Sequence, residues 1–441
     1  MVRRLLQLDR PIPPRTEAEL QAEISQNYRW NFFFGLLDGA FFWFGASFIS
    51  AATILPLFVS KLTDSPLIIA LLPVLGQATW YLPQLFAAGP TERLPRKKPA
   101  VINLGFFLER LPIWLMPLAA LVSLRQPGLA LVLLLVGYGL HGLGAGIIAP
   151  AWSDMIAHCF PVAGRGWFFG FTAFVGTGLG AISAFFSGWL LETYPFPTNF
   201  VYAFLIASVM VFLSWFFLAQ VRESVQPPAA HSISRSATWA KVGRILAGDS
   251  NFRRFMTARL VGSLSTMGTA FVTVVALQRW QVSDGTVGYF TIALLTGQTL
   301  GTLFAGLVAD RFGHRQVFMS AYLINTLAFL LAWQAPTPGW FYGVFVLIGC
   351  GMGMLTVSGV LSAMEFSLPA HRPTYIGIAN TANGVGITIA PIVGGLLATI
   401  SYDWLFFGSA LAGLAAVLMF YARVADPRFL TAFFAVDGVG E

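Results

Sequence analysis

Charge is what this chain has least of. Asp, Glu, Lys and Arg make up 10% of its 441 residues, and 56% are hydrophobic. A soluble domain holds ~25% charged residues, so a water-exposed globular surface is excluded and a lipid-facing one is implied. Cysteine is nearly absent too. Cys159 and Cys350 form no metal or redox spacing, and a disulfide framework is not indicated. The five histidines are scattered, with no metal-ligand spacing, nucleophile–base pair or phosphate loop in view. No cofactor, no metal and no enzyme chemistry are therefore expected. The first 30 residues are polar and basic, so no cleavable signal peptide is expected.

Long apolar runs are what the chain does have. They cover roughly 31–59, 67–88, 100–122, 129–151, 166–191 and 200–220, then 253–277, 287–309, 317–334, 340–364, 374–400 and 404–424. Each approaches or exceeds the ~20 residues a helix needs to cross a bilayer. Twelve spans in two groups of six divide the chain into a segment 1–30, a half 31–220, a linker 221–252, a second half 253–424 and a tail 425–441. Thr16 to Glu19 reads as a capping box, opening a short helix with Leu20 and Ile24 on one face, expected on the bilayer surface. The linker contains Pro227, Pro228 and an amphipathic stretch around Trp239, Val242, Ile245 and Leu246.

The net charge of +7 sits in the connections, which argues for membrane anchoring rather than nucleic-acid binding. With both termini cytoplasmic, cytoplasmic segments hold 21 of the 26 Lys and Arg, and the outer loops hold only Lys61, Arg125 and Arg279. That bias predicts both ends on the cytoplasmic side.

Between the eighth and ninth runs stand Gly306, Asp310, Arg311, Gly313, His314 and Arg315. A glycine for close backbone approach, an acid for a helix N-terminus, a turn glycine and bases for acidic helix ends or lipid phosphates make a tight charged connection. It resembles the signature loop of the major facilitator superfamily, with His314 in place of one base. Glu92, Arg93, Pro95, Arg96, Lys97 and Lys98 are its degenerate copy in the first half. A second repeat precedes each fifth helix: Pro161, Arg165 and Gly170 match Pro369, Arg372 and Gly377, and at the offset shared by the last two pairs Gly188 aligns with Gly395. The resemblance implies an all-α integral membrane protein of twelve helices in two pseudo-symmetric halves, in a bacterial inner membrane. From Pro150 to Arg165 it looks like a bacterial branch of unassigned substrate.

Ionisable residues inside spans are candidate sites. Asp38 is about 10 Å into the first run at ~1.5 Å per residue, where it is either a proton carrier or a structural acid. Glu109 and Arg110, near the midplane of the third, diverge by about 100° on an α-helix. Each is expected to bond a different neighbour, in a structural network more than in substrate contact. Arg259 is expected to snorkel to the headgroups, with a counter-ion role as the alternative. His141, among glycines, is read as a packing residue more than a relay. Gln298, Asn380 and Asn383 either recognise a polar ligand or bond between helices. The resemblance further implies that Asp154 and Glu365 latch the cytoplasmic side by pairing with Arg93 and Arg311. Gly386, Pro391, Gly394 and Gly395 resemble a motif of drug–proton antiporters, but in the eleventh span rather than the fifth, where packing and kinking explain them.

The expected function is alternating-access transport of a small organic or amphipathic solute, as proton-coupled export, with protons, solute and lipid as partners and a monomer as the working unit. An uncoupled facilitator, an importer of a lipid or metabolite, and a non-transporting sensor are the alternatives.

Overall fold

The computed structural model describes residues 2–8, 15–92, 94–225, 235–366 and 372–427. Those residues are helical and turn; none is in a strand. Eleven stretches among them are long and apolar enough to cross a membrane. The first span, helix Glu17–Ser47, is not among the eleven; it carries Asn31 and Asp38 within its aromatic run.

That helix corrects one expectation. The Thr16 capping box forms, with Glu19 N–H donating to Thr16 Oγ and Thr16 N–H to Glu19 Oε2 at 2.8 Å. It opens no separate surface helix, however. Leu20 and Ile24 are buried, and the same helix runs on without a break to Ser47. After a turn the span resumes as Ile54–Ser60. The seventh span repeats this broken form, with Ser250–Ser263, a 3₁₀ turn Leu264–Thr266 and Thr269–Trp280.

Contacts divide the chain into two compact units, residues 1–62, 75–232 and 284–292 in one, and 63–74, 233–283 and 293–441 in the other. In the first unit the opening helix packs on the fifth span, Val162–Thr193, and the sixth, Thr198–Leu218. The fourth, Pro127–Cys159, packs on the second and third.

Proline and glycine shape that last contact. Pro83 and Pro112 lack the N–H that would bond the carbonyls of Thr79 and Leu108 one turn back. Both spans carry π-turns beside these sites, Val74–Ala78 in the second and Phe106–Arg110 in the third. The Leu111 N–H reaches back five residues to Phe106 at 2.9 Å. A Cβ on Gly146 would collide with the Thr79 carbonyl, and one on Gly144 with that of Leu108. The fourth span thus lays bare backbone against the two carbonyls that proline has freed.

In the second unit the ninth span, His314–Gln334, packs on the tenth, Trp340–Glu365, and the twelfth, Tyr402–Arg423. The repeat at Gly188 and Gly395 has a common geometry. Gly188 lies against Gly285 and Gly288 at the start of the eighth span, within the first unit. Gly395 lies against Ala70 and Leu67 at the start of the second span, within the second unit. Gly386 and Gly394 meet Ser263 and Met267 of the seventh span, as close packing requires.

Candidate functional site

The first unit concentrates ionisable groups within its spans. Asp38 is half-buried, and its Oδ1 accepts a hydrogen bond from Ser214 Oγ of the sixth span at 2.6 Å. It lies within Coulombic range of Arg110. Glu109 and Arg110 are 3% and 5% exposed, and they pair with each other. This overturns the expectation of separate neighbours. They stand in a π-turn, whose extra residue per turn brings adjacent side chains closer in angle than an α-turn does. His141 Nδ1–H donates to the Glu109 carbonyl at 2.9 Å, so this buried histidine supports the pair through its backbone. Among the described residues, no group of three or more His, Cys, Asp or Glu is placed to hold a metal.

Arg259 does not snorkel. It is buried in the second unit, donates from Nη1 to the Gly359 carbonyl at 3.2 Å and lies over the Phe318 ring. A lip of aromatic and backbone acceptors satisfies it where lipid headgroups were expected to. Gln298, Asn380 and Asn383 are half-buried, and their amides make no hydrogen bond among the described residues.

At the charged connections, the observed partners differ from those the signature loop implies. Asp154 pairs with Lys97 at 3.1 Å, and its other oxygen lies 3.6 Å from His158. Arg93 lies outside the described residues, as do the side chains of Glu92, Arg165 and Arg372. Glu365 lies 3.9 Å from His314, which also contacts Ser358 at 3.1 Å. Arg311 is exposed over the Phe312 ring, and Asp310 is exposed. The imidazole that replaces a base in the loop has therefore turned inward. Gly313 takes φ +84°, which a side chain would disfavour. Gly306 faces open space, so close backbone approach is not its role in this structure. Arg315 donates to the carbonyls of Phe420 and Tyr421, at the C-terminal end of the twelfth span, where a cation complements the helix dipole.

Two features escaped the sequence. The Glu223 carboxylate accepts the backbone N–H groups of Lys97 and Lys98 at 2.8 and 2.9 Å, which places it as a cap on the start of the third span. Partial burial lowers the pKa of Lys98, and the Glu223 charge opposes that shift. The Glu223→Ala variant should lose ~1.5–3 kcal/mol, the usual worth of hydrogen bonds to a charged group. Thermal unfolding of the purified chain in detergent reads this, and an unchanged midpoint would refute it. The second feature is a repeated clamp. Asn31 holds both the N–H and the C=O of Arg222, at 2.8 and 2.9 Å. Asn251 holds both groups of Ala425, at 2.9 and 3.0 Å. Asn-Phe opening each half and Val-x-acid closing it, at 221–223 and 424–426, were the available signal.

The comparisons agree with this architecture. Residues 255–434 match the family model described as Major Facilitator Superfamily. An inner membrane metabolite transport protein, YgcS of Escherichia coli K12, is 30% identical over 171 residues, 38% of this chain and 38% of that protein. A multidrug resistance protein B homolog of Mycobacterium tuberculosis is 33% identical over 180 residues, 39% of this chain and 33% of that protein. The chain thus spans little more than a third of the length of the curated relatives it matches. The crystal structure of a D-xylose-proton symporter superposes with a TM-score of 0.67 at 15% identity, covering 90% of this chain and 98% of that one, a likeness of fold. Over residues 255–434, the part its family model matches, the chain is similar to the major facilitator superfamily.

Proposed function

We propose that this chain is a secondary transporter that exports a small organic or amphipathic solute in exchange for protons, by alternating access of its two halves. The observation that carries the reading is Asp38. It is an acid inside a span, held by the Ser214 hydroxyl and by no ion pair among the described residues. Taking up a proton there costs one hydrogen bond, whereas protonating Glu109 would break a buried pair. A proton on Asp38 changes the charge felt by Arg110, and so shifts the relative stability of states in which Asp38 meets one side of the membrane or the other. Solute transport is also in the names of the relatives, proton coupling in that of the xylose symporter, and drug resistance in that of the mycobacterial relative. The pairs at Asp154 and Glu365 brace helices within their own halves, which suits halves that rock as rigid bodies.

The test uses purified protein in liposomes loaded with a pH dye, a panel of candidate solutes, and Asp38→Asn beside wild type. Solute-driven proton movement is expected in wild type and absent in the variant. Its direction relative to the solute decides between exchange and symport. Solute movement without proton movement, equal in both proteins, would refute coupling at Asp38.

A further inference from the structure

The opening helix buries two of its sides, against the fifth and sixth spans. A stripe on it stays uncovered: Arg29 is exposed, and Phe33 is 56% exposed. Facing this stripe from the fifth span is Trp167, 63% exposed. Tyr28, Arg29, Phe32, Phe33, Leu36 and Trp167 line a cleft of about 380 Å³, within the ~300–1,000 Å³ of small-molecule sites. Its rings are fixed before any ligand arrives. Trp167 stacks on Phe171 with centroids 5.4 Å apart, and Phe32 stacks on the same ring at 6.0 Å. Arg29 makes no ion pair or hydrogen bond among the described residues.

We propose that this cleft binds an aromatic monocarboxylate. The indole of Trp167 offers a flat apolar face to a ring. Arg29 is exposed at the rim of the cleft, and its guanidinium carries a fork that fits one carboxylate. One cation sets the ligand at one negative charge. Asp38 lies nine residues further along the same helix, roughly 13 Å at ~1.5 Å per residue. The bound anion would influence its protonation through space, without touching it. The proposal deepens the transport reading by naming a substrate class, and binding can be measured apart from transport.

The probe is tritiated 2-naphthoate, bound at equilibrium to the full chain in phosphatidylcholine nanodiscs. The competitors are 2-naphthalenemethanol, which keeps the ring without the charge, and cyclohexanecarboxylate, which keeps the charge without the aromatic face. Arg29→Gln is expected to weaken naphthoate about tenfold or more and to leave the alcohol unchanged. Trp167→Leu should weaken both ring compounds several-fold. Both side chains are exposed, so the fold should survive each change, and Arg29→Lys should recover part of the affinity. Equal binding of naphthoate and the alcohol, or indifference to both substitutions, would overturn the proposal. So would naphthoate binding that vanishes once phosphatidylglycerol is added, because the Arg29 site would then belong to a lipid headgroup. Loss of binding with solute-driven proton movement intact would remove this site and leave the transport reading standing. Binding without any transport would do the reverse.

Discussion

Glu109→Ala leaves little monodisperse protein, while Glu109→Leu combined with Arg110→Met restores it: this is the outcome expected of a buried pair whose members shield each other. Both side chains are buried, and each is the other's ionic partner. Removing Glu109 takes the ion-pair partner from a buried Arg110 and leaves only the Asp38 charge to offset it; breaking a buried pair costs ~3–5 kcal/mol, whereas replacing both members with apolar residues of similar volume is often neutral or stabilising. That loss is a large share of the ~5–15 kcal/mol that holds a typical protein folded. Size-exclusion profiles and thermal midpoints of the single and double variants read the effect. A tolerated single substitution, or a double variant no better than the single one, would show that the pair does not stabilise the half in this way. If the double variant folds and still couples solute to protons, the pair is structural and Asp38 carries the proton alone.

Gly144→Val is expected to be nearly as damaging, for a reason of space rather than charge. A Cβ at 144 would meet the Leu108 carbonyl and the Glu109 amide nitrogen, backbone atoms that cannot rotate aside. The fourth span would have to part from the third where His141 bonds the Glu109 carbonyl. Overpacking of this kind costs ~1–3 kcal/mol and sometimes more. Gly178→Val is the control, since a Cβ there meets nothing within 4 Å. Comparable melting temperatures for the two variants would refute the close approach.

The difference between those glycines shows what the sequence could and could not convey. Both stand in glycine-rich apolar runs, and composition treats them alike. Hydropathy located the spans because burial in lipid acts on some twenty residues at once. It could not report the π-turns of the third span, which depend on Pro112 and on the fourth span's bare backbone. The same limit hid the Arg259 environment. A lone arginine near the end of an apolar run reads as snorkelling, and only the approach of Gly359 and Phe318 from distant sequence reverses that. His314 was visible as a departure from the signature loop, yet its turn toward Ser358 and Glu365 was not, because a loop pattern names residue types and not directions. Asp38 was legible as an acid out of place. Its hydroxyl partner, 176 residues away, was not.

The paired asparagine clamps also bear on how the molecule is made. Each joins the first helix of a half to the backbone just beyond its sixth, across 191 residues at Asn31 and 174 at Asn251. Ribosomes add about 5–20 residues each second, so the Asn31 amide enters the membrane on the order of 10–40 s before its partner is synthesised. Throughout that interval the first helix must wait with a polar group unclaimed, and arrival of the sixth helix closes the circle. Each half then becomes complete at a defined moment of translation, and the chain is assembled as two successive rings, the second begun only after the first has shut.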